Sequence, residues 1–180
     1  MTHTRSSGTN WSGNHRYRAA ETLLPADFDE LSAAVTGATS LRVQATRHTF
    51  NDIGDTDATL LSLEGMPVRI EIDGDRVRVR VEGLVTFAQL APVLEAEGRA
   101  LHNLGSLPHI SVAGAAATGT HGSGTANGNL ASAVTALEIM DADGRTHRID
   151  RDHAWFPAAA LGLGACLLYT SDAADDSLRV

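Results

Sequence analysis

The segment from Leu104 to Gly124 interleaves Gly105, Gly114, Gly119, Gly122 and Gly124 with Ser106, Ser111, Thr118, Thr120 and Ser123. A backbone with so few Cβ atoms can approach a ligand closely, and its N–H and O–H groups are ready donors. Phosphate is what such a surface usually holds. The spacing is not the G-x-G-x-x-G dinucleotide fingerprint, because no clear strand–turn–helix unit surrounds it. On composition alone an irregular glycine-rich loop is the plain alternative. Other chemistries find less support. His102, His109 and His121 share one region, but no cysteine or carboxylate accompanies them at ligand spacing, so no metal is expected. There is no G-x-S-x-G elbow for a serine hydrolase. The single cysteine, Cys166, lies in an atypical C-terminal stretch, which argues against a thiol nucleophile.

The elements that must position these residues read as an α+β domain. Residues 1–9 are rich in Ser, Thr and Gly and are expected to be disordered. Asp27 to Gly37 reads as a helix, with Asp27 and Glu30 at capping-box spacing and Phe28, Leu31 and Val35 on one face. Leu41 to Gln44 and Leu60 to Leu63 are short strands, the first leading into the loop that carries His48. Val68, Ile70 and Ile72, then Val77, Val79 and Val81, alternate with polar neighbours across Asp73-Gly74. That pattern predicts an antiparallel hairpin with one buried face and an arginine-studded face (Arg76, Arg78, Arg80) in water. Thr86 and Gln89 give a second capping box; Phe87, Leu90, Ala91 and Leu94 form the apolar face, and Gly98 the stop. Val134 to Met140 and Thr146 to Ile149 form another hairpin around Asp143-Gly144. Helix, strands, hairpin, helix, loop, hairpin is an α+β order rather than a doubly wound one.

The run Ser106-Leu-Pro-His-Ile-Ser-Val-Ala-Gly114, followed by Ala117-Thr-Gly-Thr-His-Gly-Ser-Gly124, resembles the flavin-binding domain of alditol (xylitol) oxidases. These belong to the vanillyl-alcohol-oxidase-like (PCMH-type) superfamily of FAD proteins. The likeness extends to Asn10-Trp11-Ser-Gly-Asn14, His48-Thr-Phe-Asn51 and Leu60-Leu-Ser-Leu-Glu-Gly65. It implies a PCMH-type FAD-binding domain over 10–165, built of two small α+β subdomains, without the C-terminal substrate domain that follows in the family. It also implies FAD as cofactor, joined covalently through His48. The segment Ala45-Thr46-Arg47-His48-Thr49 would meet the flavin, but it departs from the family, which has glycine where Ala45 and Arg47 stand. Glycine there lets backbone N–H groups wrap a diphosphate at positive φ, which arginine tolerates poorly; Arg47 would either pair with a phosphate or obstruct the site. Ser106, Ser111 and Gly114 match positions that line the flavin and its phosphates, and Gly105 stands in the cofactor site where the family keeps a small residue that leaves oxygen a path to the ring. Thr118, Gly119, Thr120 and His121 match the diphosphate cradle, and Ser106 stands near the reactive edge as the catalytic candidate.

By the same resemblance the parent enzyme oxidises the terminal CH–OH of an alditol such as xylitol or sorbitol to the aldose. Oxygen is the acceptor and hydrogen peroxide a product. The alternatives are a sugar-1,4-lactone oxidase or dehydrogenase of the same superfamily, or a non-catalytic flavin-binding fragment. The expected partners are a small polyol and oxygen, acting on a monomer.

Composition is consistent with this reading. Hydrophobic residues make up 43% and charged residues 20% of the 180, as in a folded domain rather than a disordered chain. A formal charge of −8 argues against nucleic acid, whose binding rests on Lys and Arg. Met1 to Ala20 has no apolar core of a secretory signal, and no run is long enough to span a bilayer. With one cysteine, a cytoplasmic enzyme is expected. From Cys166 onward the apolar alternation stops and an acidic cluster appears, ending Asp-Asp-Ser-Leu-Arg-Val180. Residues 166–180 resemble translated adapter sequence, so the chain is read as a truncated enzyme with a foreign end, packed coherently only to about Gly164. The alternative is a genuine acidic surface tail.

Overall fold

The computed structural model describes residues 2–73, 78–164 and the backbone of 167–174. In chain order the elements are β1 (His3–Ser6), β2 (Glu21–Leu24), α1 (Phe28–Gly37), β3 (Leu41–Val43), β4 (Thr59–Leu61), β5 (Arg69–Ile72), β6 (Arg78–Glu82), α2 (Phe87–Ala96), α3 (Val112–Ala117), β7 (Val134–Met140), β8 (Thr146–Asp150), α4 (Phe156–Ala160) and β9 (Leu167–Ala174). They form two sheets. One has four strands in the order β1-β2-β4-β3, with β4 parallel to both its neighbours. The other is antiparallel with five strands in the order β5-β6-β9-β7-β8. This is an α+β fold of two small sheet-and-helix units, as the sequence indicates.

The helices begin where side chains can satisfy their free N–H groups. Asp27 accepts from the Glu30 backbone N–H at 2.8 Å, while Glu30 reaches back to the N–H of Ala26 at 3.1 Å. Gln89 Oε1 accepts both the N–H and the hydroxyl of Thr86. Beyond Ala96 the chain turns through Gly98 at φ +65°, and the Arg99 N–H closes back on the Leu94 carbonyl. The buried faces are narrower than sequence periodicity suggests. In α1, Leu31 is fully buried and Val35 packs beside it, but Phe28 is exposed. In α2, Phe87, Leu90 and Leu94 are buried and Ala91 is not.

One core ties the two units together, and two more lie within the second unit. Leu31 meets Leu61, Leu63 and Met66 of the first unit and Met140 of the second. Val79, Val81 and the buried residues of α2 form another core, and α4 covers Leu137 and Ile149 in a third. The short α3 lies between the last two, with Ala115 in one and Ala116 in the other. Only small side chains fit so close a junction, and truncating a large neighbour such as Leu90 or Leu137 costs about 2–5 kcal/mol.

Several sequence expectations are corrected. Residues 1–9 are ordered from Thr2: β1 pairs antiparallel with β2, and the Ser7 hydroxyl, fully buried, lies 3.0 Å from that of Thr22. Edge pairing satisfies the backbone of this polar segment, something composition does not report. The strand expected over Leu60 to Leu63 stops at Leu61, and a 3-10 turn, Leu63–Gly65, follows. The β5–β6 hairpin forms with Ile70 opposite Val81 and Ile72 opposite Val79. Its turn, together with Gly74, Arg76 and Val77, lies outside the described residues. The opposite face is less watery than expected, since Arg80 bonds Glu82 at 3.0 Å and Glu138 of β7 at 3.1 Å.

Leu167–Ala174, assigned by sequence to a loosely packed tail after Gly164, pairs with β6 on one side and β7 on the other as the central strand. Two flanking strands offer their backbone groups to any extended segment, so an alternating pattern is not required. Ala165, Cys166 and residues 175–180 lie outside the described residues. No helix among the described residues is long and apolar enough to cross a membrane.

Candidate functional site

A cleft of about 340 Å3 opens between the loop that leaves β3 and the helix α3. Val43 to Phe50 form one wall, and Ser111, Gly114, Thr118 and Thr120 lie on the other. The volume is that of a small-ligand site. The two walls are pinned at the base by the Thr46 hydroxyl, which accepts the Ser111 N–H at 3.1 Å. Ser111 in turn caps α3 by accepting the Gly114 N–H at 3.2 Å. A Cβ on Gly114 would stand 2.5 Å from the Ser111 Oγ and 3.4 Å from the Ala45 Cβ, so glycine is required for this closeness. Thr118 donates its hydroxyl to the Gly114 carbonyl and lies 3.3 Å from the Thr120 hydroxyl. This arrangement sets two hydroxyls side by side on the cleft wall.

Arg47 adopts φ +62°, in the left-handed region that glycine enters freely and arginine does not. The backbone therefore takes the conformation a glycine would have given it, despite the arginine. Its guanidinium donates to the Thr9 carbonyl at 3.4 Å, while the residue still lines the cleft.

His48 is the least satisfied group in the cleft. Both of its ring nitrogens are buried, and neither has a hydrogen-bond partner. Its ring stacks on Trp11 with centroids 5.1 Å apart and lies 4.9 Å from His109. Burial lowers its pKa below the usual histidine value, and the charges of His109 and Arg47 add to the effect. The nearby Thr46 backbone, short of hydrogen-bond geometry, opposes it in part. Burial thus disfavours the protonated ring, and neither nitrogen is engaged by a neighbour. Trp11 and His109 lie in motifs whose sequence assigns them no role here; their side chains meet because the N-terminal segment folds across the His48 loop. Gln44, also on the wall, has a buried amide nitrogen without a partner.

Ala45, Thr46, Arg47, His48, Thr49, Ser111, Gly114, Thr118 and Thr120 thus come together from two distant parts of the chain. Four other sequence candidates are not on the wall. Gly105 sits behind it, where a Cβ would meet the Thr120 methyl at 3.3 Å. Gly119, at φ +64°, makes the turn after α3. Ser106 is exposed, and His121 is exposed with its Nδ1 2.9 Å from the Gly122 carbonyl. In the segment Leu104–Gly124, α3 is an element that the sequence reading did not find, because its Val-Ala-Gly-Ala-Ala-Ala run has no polar face to set a period. No cluster of His, Cys, Asp or Glu that could hold a metal occurs among the described residues.

Unpartnered buried nitrogens, paired hydroxyls, one cation and a glycine cradle on an α+β frame define a cofactor-binding domain whose donors suit a diphosphate and whose apolar walls suit a ring. The chain belongs to the FAD binding domain family, whose profile it matches over residues 19–150. It is 45% identical over 166 residues to an alditol oxidase of a Streptomyces species, an alignment covering 91% of this chain and 40% of that protein. It is 34% identical over 164 residues to the D-arabinono-1,4-lactone oxidase of Yarrowia lipolytica, covering 86% and 31% respectively. An L-gulono-1,4-lactone dehydrogenase of Mycobacterium tuberculosis is 28% identical over 161 residues, covering 87% and 37%. The chain spans at most about two fifths of the length of these relatives.

Proposed function

We propose that this chain is the flavin-binding part of an FAD-dependent alditol oxidase. The observation that carries the reading is His48, which lines the cleft with both ring nitrogens buried and without a hydrogen-bond partner. The residues present fit FAD. His48 would hold the isoalloxazine, covalently in the manner the resemblance implies. Arg47 and the hydroxyls of Thr118 and Thr120 would hold the diphosphate, and Gly114 leaves room for its close approach. When bound, FAD supplies the acceptance of a hydride from an alcohol carbon and its passage to oxygen, giving peroxide.

The protein's own contribution in this part is orientation and exclusion of water. Thr46 and Ser111 fix the distance between the walls, and Leu84 and Ile110 supply apolar lining. Ser106 and His121 stand outside the cleft wall, and Ser106 remains the group proposed for the reactive edge of the flavin. Oriented hydroxyl recognition and a base for the alcohol proton would have to come from a substrate domain, since small misplacements are costly to rate. A polyol and oxygen are the proposed small-molecule partners of a monomer. The single cysteine supports a cytoplasmic setting.

The lactone-oxidising relatives favour a second reading, a sugar-1,4-lactone oxidase or dehydrogenase. Titration of the purified chain with FAD, followed by flavin fluorescence, tests the binding role; a flat titration overturns it. Joining the chain after Ala165 to an alditol-oxidase substrate domain and assaying peroxide with xylitol against a sugar lactone separates the two activities. The 180-residue chain alone is expected to oxidise neither.

A further inference from the structure

The segment from Asn10 to Asn14 reaches across the cleft loop and bonds three of its carbonyls. The Trp11 N–H donates to the Arg47 carbonyl at 2.8 Å. Asn10 Nδ2 donates to the Thr49 carbonyl at 2.9 Å, and Asn14 Nδ2 to the Phe50 carbonyl at 3.0 Å. The donors are themselves tied together. Asn10 is 4% exposed, its Nδ2 also reaches Asn14 Oδ1 at 2.7 Å, and its Oδ1 accepts the His15 N–H. The far end is anchored on Asp55, whose buried carboxylate takes the N–H and Nε of Arg18 and Nε2 of His15. Above this frame the Trp11 ring, 53% exposed, lies against His48 and 5.5 Å from His109.

What this segment braces would otherwise be poorly held. Arg47 sits in a backbone conformation that its side chain disfavours, and His48 has no hydrogen bond of its own to orient the ring. Carbonyls on both sides of His48 are tethered to one rigid turn, and one ring face is covered by the indole. A residue whose geometry must be held to a fraction of an ångström is normally locked by such neighbours.

We propose that Asn10, Trp11 and Asn14 form a positioning strap that presents His48 to the flavin. The proposal rests on the reading of the cleft as the FAD site. These residues act through His48 and touch no reacting atom, so they are positioning rather than catalytic residues.

The test uses the whole chain and two readouts: the His48 Cε1–H resonance, displaced by the Trp11 ring current, and the Kd for FAD from flavin fluorescence. Asn10→Asp keeps the side chain's size and turns its donor into an acceptor facing the Thr49 carbonyl. Trp11→Ala removes the ring, and Trp11→Phe restores an aromatic face. Asn10→Asp and Trp11→Ala should move the His48 resonance toward that of free histidine and weaken FAD about tenfold. Trp11→Phe should recover most of both. If Asn10→Asp does not fold, the two Trp11 variants carry the test, because that ring lies at the surface. A His48 resonance and a Kd that stay put in Asn10→Asp and Trp11→Ala overturn the strap; so does a resonance that moves while the affinity does not. If the parent chain binds no FAD but its variants still shift the His48 resonance, the positioning of His48 stands and the flavin reading falls.

Discussion

The carbonyl of Arg47, a residue held at φ +62°, accepts the N–H of Trp11, and the Trp11 ring stacks on the next residue, His48. Backbone strain, tether and stacking thus converge on two adjacent positions of one loop. Where strain persists in a fold, the surrounding contacts over-determine it.

Arg47→Gly should stabilise the protein. It relieves a left-handed conformation worth about 1–2 kcal/mol, set against the about 0.5–1 kcal/mol of added flexibility that glycine brings to the unfolded chain. Thermal unfolding should rise by a few degrees for Arg47→Gly and not for Arg47→Ala, which keeps the Cβ. Equal shifts in both variants would mean that the side chain, not φ, is responsible.

Stability should fall on mild acidification because of His48. Its imidazole titrates near 6.5 when unfolded and lower when folded, so the folded chain binds fewer protons between those values. The stability of the neutral form is complete above about pH 6.5 and declines as the pH drops through it. His48→Phe, which stacks but does not titrate, should flatten the melting profile between about pH 7 and 5.

Asp55 acts in a lower window. Burial alone would raise its pKa, but hydrogen bonds from Arg18, Thr56 and His15 outweigh it and hold the carboxyl below 3.8. Its contribution is present above that value and is lost as the pH falls toward the folded pKa. Asp55→Asn should cost about 1–3 kcal/mol at neutral pH, because hydrogen bonds to a charged acceptor are lost in a buried setting. The gap between parent and variant melting temperatures should close below pH 3.8.

His102 offers a stabilising substitution. Both its ring nitrogens are buried without a partner, beside a cavity of about 30 Å3 bordered by Val79, Phe87 and Leu90. Replacing it with Leu should raise stability by about 1 kcal/mol, since an unsatisfied polar group in an apolar site is itself destabilising. A lower melting temperature for His102→Leu would show that the imidazole is satisfied in solution.

Local signals in this chain were legible where they are local in cause. The capping pairs Asp27/Glu30 and Thr86/Gln89, the Gly98 stop and the Asp143-Gly144 turn all appear as read, because each depends on contacts within a few residues. The FAD-binding family was legible in the Ser106–Gly124 run, and the cleft does use Ser111, Gly114, Thr118 and Thr120 from it. Tertiary structure alone decided the rest. Thr2 to Thr9 looks disordered by composition, yet β1 finds hydrogen-bond partners in β2, fifteen or more residues along. Leu167–Ala174 lacks a strand pattern, yet β6 and β7 stand ready on both sides of it. Arg47 occupies a glycine's conformation, and His48 lies under Trp11, because Asn10 and Asn14 bond carbonyls almost forty residues away. A sequence records what a residue prefers; pairing and packing across the chain decide which preferences are overruled.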